Sequence, residues 1–139
     1  MKTRMLEGYK VLDFTQALAG PTATRYLAQM GAEVIKVELA PDGDLARAVP
    51  FMRDGRSAYY VQQNRCKKSL CLDAKKLAGL AILKGLIPKV DVLIQNFAPG
   101  VIERIGLDYE NRARAEPQDR DVFNLRTRTH RAPREPARI

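Results

Sequence analysis

The residues that could do chemistry are few and unevenly placed along this chain. Its only histidine, His130, lies far toward the C-terminal end, so residues 1–110 offer no Ser-His or Cys-His nucleophile pair. Cys66 and Cys71 stand five apart in or just before one candidate strand, a spacing that points them to opposite faces. That argues against a disulfide between them, and with no histidine nearby a zinc site lacks ligands, so both read as small strand residues. Neither G-x-G-x-x-G nor G-x-x-x-x-G-K-[ST] occurs, which weakens a simple NAD or ATP reading. What remains is three turn-like segments, residues 16–21, 39–47 and 96–104, rich in amides, Gly, Pro and a few cations. If each follows a parallel strand, it sits where helix N-termini and loops receive anions.

The elements that must position these segments follow a βα rhythm. Residues 9–14 (YKVLDF) predict a strand, and Pro21 suits the start of a helix running to about Met30, stopped by Gly31. Residues 33–38 (EVIKVE) predict a second strand. After the irregular stretch beyond Pro41, residues 57–63 offer one or two helical turns and residues 68–73 (KSLCLD) a third strand. Apolar residues at Leu77, Leu80, Ala81, Leu83, Leu86 and Ile87 have helical spacing, residues 91–95 (DVLIQ) predict a fourth strand, and residues 99–105 a short helix ended by Gly106. Apolar strands alternating with helices argue for an α/β fold with a parallel sheet covered on both faces.

Composition divides the chain near Glu110. The net charge is +8, but residues 1–110 hold 16 Lys+Arg against 12 Asp+Glu, whereas residues 111–139 hold eight against four. The second region has eight arginines, no lysine, three prolines and one short apolar group, Val122, Phe123 and Leu125. It cannot bury enough apolar surface to offset its ordering entropy, so disorder beyond one short helix is expected there. No apolar run approaches a membrane span and no secretory h-region opens the chain, so a cytoplasmic, soluble location is the expectation.

Four segments, VLDFTQALAGPTATRYLAQMGAEVIKVE, Gly43-Asp44 with Arg47, SAYYVQQNRCKKSLCLD and DVLIQNFAPGVIERIGLDYE, together resemble the N-terminal part of the class III CoA-transferases over residues 5–110. That family includes formyl-CoA:oxalate and carnitine CoA-transferases and the α-methylacyl-CoA racemases. The resemblance implies a Rossmann-like domain, interlocked homodimers in the intact family, and CoA, as acyl-CoA, laid along the loops already singled out. Leu18 and Ala19 match the position where the family backbone meets the nucleotide. Leu72, Asp73, Ala74 and Lys75 match a second contact segment, Asn96, Phe97 and Ala98 a third, and Arg104 a basic contact. These types suit the ligand, since its phosphates call for Lys or Arg and adenine and pantetheine for an apolar wall with a few amides. No metal is implied.

The chain also departs from the family. Leu39 stands where members often carry arginine, and NRCKKS replaces N-x-N-K-R-S, with Cys66 for asparagine and Lys68 for arginine. Read without the family, Lys67-Lys68 is a solvated loop, and Arg25, Lys75 and Arg104 are surface charges. The family's nucleophile is an aspartate that attacks the acyl-CoA thioester. Asp13, Asp44, Asp73 and Asp91 all match other motif positions, so no catalytic residue is assigned. Residues 1–110 are therefore expected to be the N-terminal part of a CoA-transferase domain that lacks its nucleophile, and residues 111–139 an irregular Arg-rich tail without the family's next strand. Translation leaving the ancestral frame between residues 111 and 118 would account for the switch in composition. Two other readings are a racemase fragment and a basic nucleic-acid-binding protein acting through the tail; the latter is disfavoured because aromatic interleaving is absent there.

Overall fold

The computed structural model describes residues 4–107 and the backbone of residues 122–124. Five parallel strands form the main sheet in the spatial order β5-β2-β1-β6-β7. They are β1 (Lys10–Asp13), β2 (Glu33–Leu39), β5 (Lys68–Leu72), β6 (Val92–Gln95) and β7 (Val122–Asn124). Four of them are the predicted strands, trimmed or extended by a residue or two. β7 departs from the expectation for the tail: Val122, Phe123 and Asn124 pair in register with Leu93, Ile94 and Gln95 of β6. Three residues are too short to show a period in sequence, and it is the exposed edge of β6 that makes a strand of them.

Side chains alternate across this sheet and build two cores. Leu12, Val37, Leu72 and Leu93 of the strands and Phe14 after β1 pack in one cluster with Leu83 of the helix α3 (Leu77–Leu86), Ile87 and Ile102. Val11, Val34 and Ile94 face the opposite way, toward Ala28 of the helix α1 (Ala19–Gln29) and Ala32. α1 begins two residues before Pro21, which is tolerated because a proline in the first turn forfeits no intrahelical hydrogen bond.

The stretch between β2 and β5 is more ordered than its sequence suggests. A 3₁₀ turn occupies Leu45–Ala48, a two-stranded antiparallel ribbon pairs β3 (Met52–Arg53) with β4 (Arg56–Ser57), and the helix α2 spans Ala58–Asn64. Ser57 caps α2 by accepting the Tyr60 N–H on its hydroxyl. After β6, the helix α4 is a single turn, Val101–Arg104.

Candidate functional site

The C-terminal ends of β5, β2, β1 and β6 open on one edge of the sheet, about 14 Å across for three strand spacings. Chain order reverses between β1 and β6, and open α/β sheets bind ligands in the crevice at such a switch point. Here the two loops are stitched together by one side chain. Asn96 accepts the Gln16 N–H on Oδ1 at 2.9 Å and donates from Nδ2 to the Gln16 carbonyl at 2.9 Å. Below this pair, Phe97 meets Phe14 edge-on with ring centroids 6.2 Å apart.

A buried ion pair shapes the loop after β1. Ala17 has a φ of 67°, in the left-handed region that alanine seldom adopts. Its N–H donates to Asp44 Oδ1 at 3.2 Å, and the same oxygen accepts the Ala46 N–H at 2.9 Å to cap the 3₁₀ turn. Lys36 Nζ lies 2.6 Å from the other Asp44 oxygen and donates to the Thr15 carbonyl at 2.7 Å. One buried ammonium and one buried carboxylate thus join strand β2, the loop after it and the loop after β1. α1 approaches that loop so closely that a Cβ on Gly20 would lie 2.3 Å from Thr15 Cβ, which only glycine permits.

Two further polar clusters brace the same edge from the α1 side. Asp13 accepts from the Thr15 N–H and hydroxyl, from Thr24 Oγ1 at 2.6 Å and from Lys67 Nζ at 3.0 Å. The side chain of Lys67 is 1% exposed, so this lysine is no part of a solvated loop. Its ammonium also donates to Thr24 Oγ1, the Pro21 carbonyl and Asn64 Oδ1. Burial pulls its pKa below the usual lysine value, opposed by the neighbouring Asp13 charge. Lys68, the next residue, is solvated and pairs on the surface with Glu33. Arg25 departs from its surface reading too: it is 9% exposed and donates from Nη1 to the Gln62 carbonyl at 3.3 Å.

In the second cluster Glu38 accepts from Arg47 Nε at 2.6 Å and Nη2 at 2.8 Å, from the Tyr60 hydroxyl, from Ser69 Oγ and from the Asp44 N–H. Burial by itself would raise its carboxyl pKa, but these donors together outweigh it and hold the value at about 2. Burial and the same carboxylate drive the Tyr60 hydroxyl the other way, well above its ordinary value. The Arg47 guanidinium also covers the Tyr60 ring, 3.9 Å from its centroid.

Of the ten residues singled out from sequence, nine fall at the end of β5 or in the segments that follow β1, β5 and β6, and Arg104 ends α4. Leu18 and Ala19 are exposed at the start of α1, where no side chain caps the helix. Leu72 ends β5, and its carbonyl accepts the Ala40 N–H at 2.9 Å, tying the loop after β2 to that strand. Asp73 turns its carboxylate onto the Lys75 N–H, Ala74 packs on the core, and Lys75 is exposed. Asn96 and Phe97 are brought into contact with the β1 loop, whereas Ala98 and Arg104 are exposed beyond it. Sequence reasoning missed Gln16, Lys36 and Asp44 as the residues that set the loop, although the alternation of Lys36 and Glu38 with Val34, Ile35 and Val37 in a central strand was a signal of buried charge. Among the described residues, no three His, Cys, Asp or Glu side chains cluster as metal ligands, and no helix is long and apolar enough to cross a membrane.

Comparison with known proteins converges on one family. The family model described as CoA-transferase family III matches residues 6–118. The formyl-CoA:oxalate CoA-transferase of Afipia carboxidovorans is 41% identical over 116 residues, 83% of this chain and 27% of that protein. Its counterpart from Bradyrhizobium sp. strain ORS 278 is 44% identical over 109 residues, 78% of this chain and 26% of that protein. Among solved structures, a CaiB/BaiF family protein from Brucella suis superposes with a TM-score of 0.79 at 33% identity, covering 90% of this chain and 33% of that one. Rv3272 from Mycobacterium tuberculosis superposes with a TM-score of 0.77 at 35% identity, covering 89% of this chain and 34% of that one. The chain spans about a quarter of the length of the curated relatives it matches.

Proposed function

Because the chain belongs to CoA-transferase family III, we propose that its sheet edge is the CoA-holding part of an enzyme that moves CoA between carboxylic acids. The observation that carries this reading is the stitching of the β1 and β6 loops by Asn96 at the switch point of the sheet. A ligand as long as CoA needs several loops held at fixed separations, and preformed loops save the entropy of ordering them on binding. In this reading the backbone at Leu18 and Ala19 meets the nucleotide, with its unfilled helix N-terminus favouring a phosphate. Leu72 to Lys75 and Asn96 to Ala98 form the walls on either side, and Arg104 supplies a charge to a phosphate. The substrates are an acyl-CoA and a carboxylic acid, as the names of the relatives suggest.

The acyl transfer itself needs a free carboxylate to attack the thioester carbonyl. Asp13 and Asp44 are buried in ion pairs, Asp73 accepts the Lys75 N–H, and Asp91 accepts the Lys10 N–H at 2.8 Å. Each of these four is engaged as a structural acceptor, in keeping with a role for them in holding the CoA loops. Calorimetric titration of the purified chain with CoA, alongside a transferase assay, tests the reading. Weak saturable binding without turnover is expected. An absence of binding would remove the CoA assignment, and turnover would show that the chain itself supplies a nucleophile.

A further inference from the structure

The β3–β4 ribbon folds beside α2 and leaves a cleft of about 610 Å³. Its lining is unusual in charge. Arg53 and Arg56 come from the ribbon, while Ala58, Val61, Gln62 and Arg65 come from one stripe of α2 and the residue after it, at helical spacing. The one carboxylate in the lining, Asp54, has a side chain 91% exposed and lies 3.9 Å from Arg53, a distance at which a solvated pair contributes little.

Arg53 and Arg56 are moreover direct cross-strand partners. Like charges placed opposite one another destabilise an antiparallel ribbon, and this ribbon is only two residues long on each side. Its geometry is nonetheless well defined. The turn at Asp54 and Gly55 has φ of 51° and 71°, the left-handed pair suited to a tight hairpin, and the Ala58 N–H returns to the Phe51 carbonyl at 3.0 Å. Outside the lining, the Gln29 side-chain oxygen of α1, in the orientation that satisfies both groups, holds Arg65 by accepting from its Nε at 3.1 Å and Nη2 at 2.9 Å. Beneath Gln62 sits the buried Arg25, whose Nε has no hydrogen-bond partner among the described residues and whose charge adds to the positive potential. Three arginines thus line one cleft, two of them as cross-strand partners, and a bound anion would relieve that juxtaposition of like charges.

We propose that this cleft binds a small organic phosphate carrying at least two negative charges. Phosphate oxygens match the planar donor fork of arginine, two charges answer the Arg53–Arg56 repulsion, and Ala58 and Val61 offer an apolar wall for the organic part. The site shares no lining residue with the edge assigned to CoA.

Inorganic pyrophosphate is the probe, titrated into the full chain by calorimetry in 0.15 M NaCl with thermal melting in parallel. Saturable binding and a raised melting temperature are expected. Arg56→Gln and Arg65→Gln should each weaken binding at least tenfold, and Lys89→Gln, an exposed cation outside the cleft, should change it less than twofold. Arg56→Gln should also melt no lower than the parent without ligand, because it removes the cross-strand repulsion, while losing the melting shift that pyrophosphate confers. CoA affinity should be the same in Arg56→Gln as in the parent. The proposal fails if binding does not saturate, if the two arginine variants bind like the parent, or if CoA and pyrophosphate affinities fall together in Arg56→Gln.

Discussion

Cys66 has a φ of 69°, in the left-handed region where asparagine is the best tolerated residue after glycine. The departure from the family's asparagine at this position therefore has a local cost, and Cys66→Asn should raise stability by about 1 kcal/mol, read as a shift of the denaturant midpoint at unchanged slope. Lys67 poses the opposite case. Lys67→Met would leave the Asp13 carboxylate buried without its cation and should cost roughly 3–5 kcal/mol, whereas the double variant Asp13→Asn with Lys67→Met should recover part of that loss. A double variant as unstable as Lys67→Met would show that the pair does not act through charge. Glu38 gives a pH dependence with a definite sign. Its folded carboxyl titrates at about 2 against an ordinary 4.5, so the unfolded chain takes up the proton first and stability declines as pH falls from about 4.5 toward 2. The loss should be no more than ~3 kcal/mol, less after screening of the half-exposed Arg47, and should flatten in Glu38→Gln across that window.

The loops after the strands are the elements on which binding rests. Asp44 touches no proposed ligand contact yet holds the Ala17 N–H and pairs with the buried Lys36, so Asp44→Ser should cost roughly 3–5 kcal/mol of stability, release the left-handed turn and lower CoA affinity several-fold. Ala17→Gly, which makes the same turn easy for the backbone, should retain parental affinity and partly restore it in the Asp44→Ser background. Equal loss in both single variants would place the effect elsewhere. Asn96→Ala removes both bonds to Gln16 and should cost roughly 1–2 kcal/mol of stability as well as affinity. The main elements were readable because their apolar periods are strong: Val34, Ile35 and Val37 mark β2, and Leu80, Leu83 and Leu86 mark α3. The 3₁₀ turn, the β3–β4 ribbon and β7 were not readable, since two to four residues carry no period and their backbone partners lie in other segments.

At the scale of the whole molecule, the described residues cover the two faces of the sheet unequally. Among the described residues, α3, α4 and Ile87 to Val90 pack one face, but on the other an apolar groove of about 380 Å³ lies between α1 and β6, lined by Leu6, Val11, Leu27, Ala32, Val92 and Ile94 among others. Such a surface favours association, so the chain on its own should sediment as concentration-dependent oligomers and bind a hydrophobic dye; a monomer at high concentration would contradict this. From sequence alone came the alternation of strand and helix, the parallel sheet, the order of the loops and the family they resemble, because periodicity and motif spacing are local properties of a chain. Only the tertiary structure decided that Lys67, Lys36 and Arg25 are buried rather than solvated, that Asp44 shapes a loop 27 residues away, and that Asn96 closes the switch point. The physical reason is that the state of a charged side chain depends on which distant segment supplies its counter-charge, and that pairing exists only once the strands have assembled.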